Sequence, residues 1–283
     1  MDIENANKDD RVVRGFGEEW SRFSQACLSD EERGRIFEDY FALFPWDKLP
    51  FDSKGADIGC GSGRWAAVVA PRVGHLVCVD ASADALEVAR HNLEYQQNVE
   101  FQIADVGRLP FAEGELDFAY SLGVLHHVPD TEGAIVQISK CLKPGGLFLV
   151  YLYYAFDNRP FWFRFLWRFS DLLRQVLCRM PSRLRFLLCD AIAILIYWPL
   201  ACVAAMLERL GLALEHFPLS YYRDKSFYVM RTDALDRFGT RLEKRYSRRQ
   251  ISAMLESAGF SDVKFSEVAP FWCAIGIRKT KAE

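Results

Sequence analysis

Asp57 stands two residues before the first of three alternating glycines, Gly59, Gly61 and Gly63, in the run G-A-D-I-G-C-G-S-G-R. Glycines spaced this way let a backbone turn close on a ligand and open a helix N-terminus toward it. Alone, the string could equally be a tight strand-to-helix turn. Two further carboxylates give it chemical meaning. Asp80 ends the next apolar run, H-L-V-C-V-D, and Asp105 closes the one after, V-E-F-Q-I-A-D. A carboxylate ending a second strand can accept both hydroxyls of a ribose. One ending a third strand can reach the amino group of an adenine. The set reads as a nucleoside site. A histidine pair, His126-His127, follows a fourth apolar run in V-L-H-H-V-P-D. Histidine titrates near neutral pH, so either ring could act as a general base. Holding the loop is the competing role for both.

Positioning these residues falls to strands and helices that alternate along the chain. The apolar runs predict strands at Gly55–Ile58, His75–Val79, Val99–Ile103, Leu116–Leu122 and Leu147–Tyr153, and helices at Arg64–Ala70, Ala83–Tyr95 and Thr131–Leu142. Lys143-Pro144-Gly145-Gly146 reads as a turn. Repeated β-then-α units argue for a parallel sheet with helices on both faces. The regularity stops near Ala155. It returns with a helix over Arg248–Ala258 and two apolar runs, Val263–Val268 and Phe271–Ile277, close enough for an antiparallel hairpin. The expected fold is α/β: a doubly wound, mostly parallel, seven-stranded sheet with a helical insertion before the last helix and hairpin. The expected parts are an N-terminal helical lid (1–50), an α/β core (51–154 and 241–283) and an insertion (155–240). Residues 1–10 are polar and expected to fray.

In order and spacing, D-I-G-C-G-S-G, V-C-V-D-A-S, A-D-V-G-R-L-P-F, L-D-F-A-Y-S-L-G-V-L-H-H-V-P, L-K-P-G-G-L-F-L-V and the S-R-R-Q-I-S-A-M-L-E-S-A-G-F helix closely resemble the class I S-adenosylmethionine-dependent methyltransferases. The likeness covers Gly55–Tyr153 and Ser247–Arg278, about half the chain. It implies a Rossmann-like fold with S-adenosylmethionine as cofactor. It implies that Asp57, Gly59, Gly61 and Gly63 cradle the methionine moiety. It puts Asp80 on the ribose with Ala81 against the adenine, Asp105 and Val106 on the adenine, and Ser121 and Leu122 beside the methyl group. A nicotinamide dinucleotide fits less well. It wants G-x-G-x-x-G, whereas Arg64-Trp65-Ala66 follows the turn here. Asp57 would also repel a pyrophosphate while favouring a sulfonium and an α-ammonium.

The remaining residues bound the acceptor without naming it. A net charge of −3, no N-P-P-Y-like strand end and arginines set among large aromatics argue against nucleic acid. Eight cysteines without a C-x-x-C pair, and no secretory signal pattern, read as reduced thiols of a cytoplasmic protein. No ligand spacing points to a metal. Phe16 and Trp20 in R-G-F-G-E-E-W-S-R-F are either apolar walls of a lid over the cofactor or a staple for the first helix. From Arg159 to Arg185 there are seven arginines against one acid, Asp171, interleaved with large apolar residues. Phe186–Leu207 is nearly all apolar, interrupted by Pro199. The stretch 159–207 could form a buried cap, a homodimer interface or a peripheral membrane contact. Asp190, Pro199 and a position inside one domain argue against a span. Leu219–Tyr246, rich in aromatics and charge, is the expected substrate wall, with Tyr222, Arg231 and Asp233 as its binding residues. The whole reads as methyl transfer to an O or N atom of a small-molecule acceptor. The alternatives are a membrane-associated or lipid-linked acceptor and a non-catalytic cofactor-binding partner.

Overall fold

The computed structural model describes residues 7–25 and 28–280. The chain divides into two compact units, one formed by Met1–Tyr154 with Leu242–Glu283 and the other by Ala155–Arg241. In the first, helices α1 (Asp10–Arg22) and α2 (Asp30–Phe41) precede the alternating core. The core runs β1 (Lys54–Ile58), α3 (Ala66–Val69), β2 (His75–Asp80), α4 (Ala83–Asn92), β3 (Val99–Ile103), β4 (Leu116–Leu122), α5 (Thr131–Cys141) and β5 (Leu142–Tyr151). The second unit contains α6 (Phe161–Leu177), α7 (Ser182–Ile192), α8 (Trp198–Arg209) and α9 (Phe227–Gly239). The chain then returns to the first unit with α10 (Arg248–Ser257), β6 (Phe260–Phe265) and β7 (Cys273–Arg278).

The seven strands form one sheet in the order β3-β2-β1-β4-β5-β7-β6. Strands β1 to β5 pair in parallel, and β7 runs antiparallel to both β5 and β6. The fold class read from the sequence is therefore the one found. Strand β2 shows why: Leu76, Val77, Cys78 and Val79 are all buried, as a strand covered on both faces must be. Lys143–Gly146, expected as a turn, instead continues into β5, and its edge residues stay exposed. The chain leaves β1 for β2 and β3 on one side and reaches β4 and β5 on the other. That reversal opens a crevice at the carboxyl ends of β1 and β4, where such sheets bind ligands. Ser82 and Asp130 cap α4 and α5 just past the strand ends, and Ser247 with Gln250 forms a capping box on α10.

In the second unit, α6 and α7 pack on α9, and α8 packs on a short turn at Ser220–Asp224. Pro199 does not break the apolar helix. A π turn at Ala193–Tyr197 precedes it, and Pro199 falls in the first turn of α8. There the missing N–H is spared by the looser turn, so Ser182–Arg209 runs on as one helical rod.

Candidate functional site

After β1 the backbone turns through Gly59 (φ +79°) and Gly61 (φ +53°), conformations that side chains resist. A Cβ at Gly59 would lie 2.5 Å from the Val124 methyls, and one at Gly61 would lie 2.8 Å from the Trp20 indole. The amides of Gly59 and Cys60 donate to Val79 O at 2.7 and 3.1 Å, which pins the turn to the end of β2. Gly61 N donates to Asp80 Oδ2 at 2.9 Å, and Ser82 N donates to Oδ1 at 2.8 Å. Asp80 is thus braced by two amides. Burial raises its pKa, and the backbone hydrogen bonds pull it back down.

A cavity opens over these strand ends. Gly59, Asp80, Ala81, Asp105, Val106 and Leu122 line it, together with His127 and, from α1, Phe16 and Trp20. Phe16 and Trp20 are four residues apart and so share one helix face. The Phe16 ring stands 5.1 Å from that of His127. Asn7, Lys8 and Asp9, expected to fray, are part of the wall. Asn7 N donates to Asp105 Oδ1 at 3.1 Å, and Asp130 N donates to Asn7 Oδ1 at 2.8 Å. Asp9 caps α1 by accepting from the amides of Arg11 and Val12. An aspartate just before a helical pattern was the signal in the sequence for this order. Residues 1–6 lie outside the described residues.

The two histidines part company. They sit in a 3₁₀ turn, Leu125–His127, where successive side chains diverge by about 120°. His126 is fully buried, does not line the cavity, and stacks on Tyr153 at 3.8 Å. Its Nδ1 accepts weakly from Tyr153 N at 3.4 Å. Burial, with His127 and Arg245 nearby, holds its pKa well below the usual histidine value. The expectation that either ring could be the base is corrected: only His127 reaches the cavity. Its Nδ1 lies 2.5 Å from the carbonyl oxygen of Leu242. A carbonyl can only accept, so Nδ1 carries the proton and Nε2 is the basic nitrogen of the neutral ring.

Four other expected contacts lie behind the wall. Gly63 packs against Leu93, and Gly61 against Trp20. Ser121 is fully buried and donates to Ile58 O at 2.9 Å. Asp57 is buried as well, and Tyr120 Oη donates to its Oδ2 at 3.0 Å. Side chains alternate along β1, so Ile58 faces the cavity and Asp57 does not. Burial pushes the Asp57 carboxyl up to about 8; the Tyr120 hydrogen bond opposes this, the Asp80 charge adds to it and Arg64 opposes it. Asp57 then holds a proton in the fold that the unfolded chain loses near pH 4, so stability falls as pH rises from about 4 to about 8. The expected slope is up to about 1.4 kcal/mol per pH unit. Asp57→Asn, which still accepts from Tyr120, should flatten the dependence of the unfolding midpoint on pH in ligand-free protein. An unchanged slope would show that Asp57 is not the proton holder.

The residues of the expected substrate wall are paired within the second unit. Tyr222 Oη donates to Asp233 Oδ2 at 2.8 Å, and Arg231 makes a bidentate pair with Asp190 at 3.0 Å for each bond. These groups satisfy one another inside the second unit. The apolar rod carries Asp190 at a half-buried position and Glu208 at its exposed end, and Arg231 of α9 neutralises Asp190.

The cavity suits a nucleoside with a polar tail. Two carboxylates stand at adjacent strand ends. Ser62 Oγ is buried in the wall with no hydrogen-bond partner among the described residues. The turn admits no Cβ at Gly59, Gly61 or Gly63, where Val124, Trp20 and Leu93 already fill the space. Cys60, Ser62, Arg64 and Trp65 complete this end of the wall. Of these, only Cys60 and Ser62 lie inside the glycine motif, so sequence spacing alone could have marked them.

Residues 56–150 match a methyltransferase domain family. A demethylmenaquinone methyltransferase of Staphylococcus saprophyticus is 32% identical over 98 residues, which is 34% of this chain and 42% of that protein. A phosphoethanolamine N-methyltransferase 2 of Caenorhabditis elegans is 36% identical over 100 residues, 34% of this chain and 23% of that one. The chain thus spans less than half the length of these curated relatives. A solved SAM-dependent methyltransferase from Methanosarcina mazei has the same fold, with a TM-score of 0.51 at 17% identity, covering 84% of this chain and 99% of that one. The second unit, 155–241, lies outside the family match.

Proposed function

Because its core belongs to the class I S-adenosylmethionine-dependent methyltransferases, we propose that this chain transfers a methyl group from S-adenosylmethionine to an oxygen or nitrogen atom of a small molecule in the cytoplasm. The observation that carries the reading is one cavity that gathers Asp80, Asp105, His127 and the aromatic face of α1. When bound, the cofactor supplies a methyl group already activated on a sulfonium. The chain therefore has to position, exclude water and accept a proton. Asp80 accepts from the ribose hydroxyls, and Asp105 holds the adenine end. The Ser62 hydroxyl, buried in the glycine turn, meets the amino-acid tail. Phe16 and Trp20 close the site against water. His127 accepts the proton of the acceptor through Nε2. The demethylmenaquinone and phosphoethanolamine methyltransferases among its relatives support a small-molecule acceptor. A membrane-associated or lipid-linked acceptor is a second reading, favoured by the outward apolar helices of the second unit.

Titration calorimetry tests the donor. S-adenosylhomocysteine should bind and quench Trp20 fluorescence, whereas NAD should do neither. Binding of NAD without S-adenosylhomocysteine would overturn the reading. Incubation with methyl-labelled S-adenosylmethionine and a panel of hydroxyl and amine acceptors then tests turnover and supplies an assay.

A further inference from the structure

Helix α6 turns its largest apolar side chains outward. Phe161, Phe165, Phe169, Leu172 and Val176 recur at helical spacing and fall within an arc of about 80°. Phe161 is 80% exposed and Phe165 75%. Arg164 and Arg168 flank this row on one side and are exposed. The opposite face is the one used inside the unit. There Arg174 is buried, bonded to Asp171 at 2.7 Å and to the carbonyls of Thr240 and Arg241.

The rod Ser182–Arg209 is built the same way. Its most apolar window has a mean hydropathy of 2.2, yet only 28% of that window is buried. Cys189, Ile192, Tyr197, Ala201 and Ala204 face inward. Leu187, Leu195, Trp198 and Met206 face outward, Leu195 at 73% exposure. Arg183 and Arg209, both exposed, stand near its two ends.

Charge separates in step with this exposure. Residues 155–241 carry 13 basic and 8 acidic side chains, whereas the rest of the chain carries 22 and 30. The unit with the outward apolar rows is the positive part of a negative protein. We propose that α6 and the α7–α8 rod dock this protein on an anionic lipid surface. They lie in the interface plane, with the outward rows at the acyl boundary and the arginines among the phosphates. A second copy of the chain is the weaker occupant, because it would bring two positive units face to face. A membrane span is excluded by the rod's inner side. The Asp190–Arg231 pair, buried Arg185 and the charged helix α9 lie along it and could not sit in hydrocarbon.

Vesicle flotation of the full chain tests the proposal. The chain should float with vesicles of phosphatidylcholine mixed with phosphatidylglycerol, and much less with phosphatidylcholine alone. Arg164→Glu with Arg168→Glu should weaken partitioning at least about 25-fold, roughly fivefold for each positive charge lost before the added negative charges are counted, and raised salt should act in the same direction. Phe165→Ser with Phe169→Ser should lower the floated fraction at least about tenfold, given the apolar area withdrawn. Leu187→Ser with Leu195→Ser repeats the test on the rod should the first pair disturb folding. S-adenosylhomocysteine binding by the same samples reports on the α/β unit separately, so loss of docking and failure of the methyltransferase reading are told apart. The proposal fails if the full chain stays unfloated with both vesicle types, or if flotation is indifferent to the arginine substitutions. It also fails if the serine variants convert a dimer to a monomer without changing flotation.

Discussion

Asp80→Ala is expected to weaken S-adenosylhomocysteine binding by about 100-fold or more while leaving the chain folded. Asp80 ends β2, the strand beside the central β1, and its carboxylate lines the cavity between the glycine turn and Ala81. Two ribose hydroxyls donating to one carboxylate make charge-assisted bonds worth about 1.5–3 kcal/mol each. Together these correspond to roughly two to four decades of affinity. A second cost has the same sign. Gly61 N and Ser82 N both donate to Asp80, so alanine releases the turn that shapes the cavity. Asp80→Asn keeps an acceptor but loses the charge, and its affinity should fall between the two. Calorimetry with S-adenosylhomocysteine reads the effect, and circular dichroism checks the fold. An affinity for Asp80→Ala within threefold of the parent would mean that the ribose is held elsewhere.

The same strand shows what a sequence makes legible. A parallel strand buried on both faces must be an apolar run, and the residue that ends it must be the first able to meet solvent. Hydropathy alone therefore located Asp80. Asp105 follows β3, an edge strand whose V-E-F-Q-I alternates instead, and the mostly parallel sheet follows from the alternation of runs with helices. The lining of the cavity was less legible because it depends on single-residue rotations. Asp57 and Ile58 are adjacent, yet the pleat sends one behind the sheet face and the other into the cavity. His126 and His127 are adjacent and both buried, yet a 3₁₀ turn puts His127 on the cavity wall and His126 behind it. Neither distinction is written in residue type.

The second unit is less legible for a different reason. Tyr222, Arg231 and Asp233 have the chemistry of a binding wall, and composition cannot tell a group awaiting a ligand from one already paired. Asp190 decides the matter. A carboxylate on an apolar rod needs a cation, and the bidentate Arg231 supplies one. The seven arginines between 159 and 185 divide likewise: Arg174 and Arg185 are buried, Arg159 is half-buried, and Arg164, Arg168, Arg179 and Arg183 are exposed. Only the exposed set is available to a partner.

His127→Gln is expected to lower turnover by about 10²–10⁴-fold, the usual contribution of a positioned general base, with S-adenosylhomocysteine affinity changed by no more than about threefold. The tautomer of His127 sets this role. Nδ1 is committed as a donor to Leu242 O, and that contact also holds the ring plane, so the proton-accepting nitrogen is Nε2. Phe16 stands 5.1 Å from the same ring, and an apolar wall there would favour transfer of the proton over its exchange with water. Glutamine can occupy the space and offer hydrogen bonds but cannot take a proton. The pH–rate profile should therefore lose its acid limb in the variant, a change that a merely structural role would not cause. His126→Phe is the contrasting test. It preserves the stack on Tyr153 and gives up one weak 3.4 Å hydrogen bond, so turnover should stay within a few-fold of the parent. Both are read with the acceptor identified by the labelled-methyl assay. Parental turnover in His127→Gln, or an equal loss in His126→Phe, would mean that the pair serves the loop and not the proton. The acceptor would then need no base, as with an amine that reaches the site already neutral.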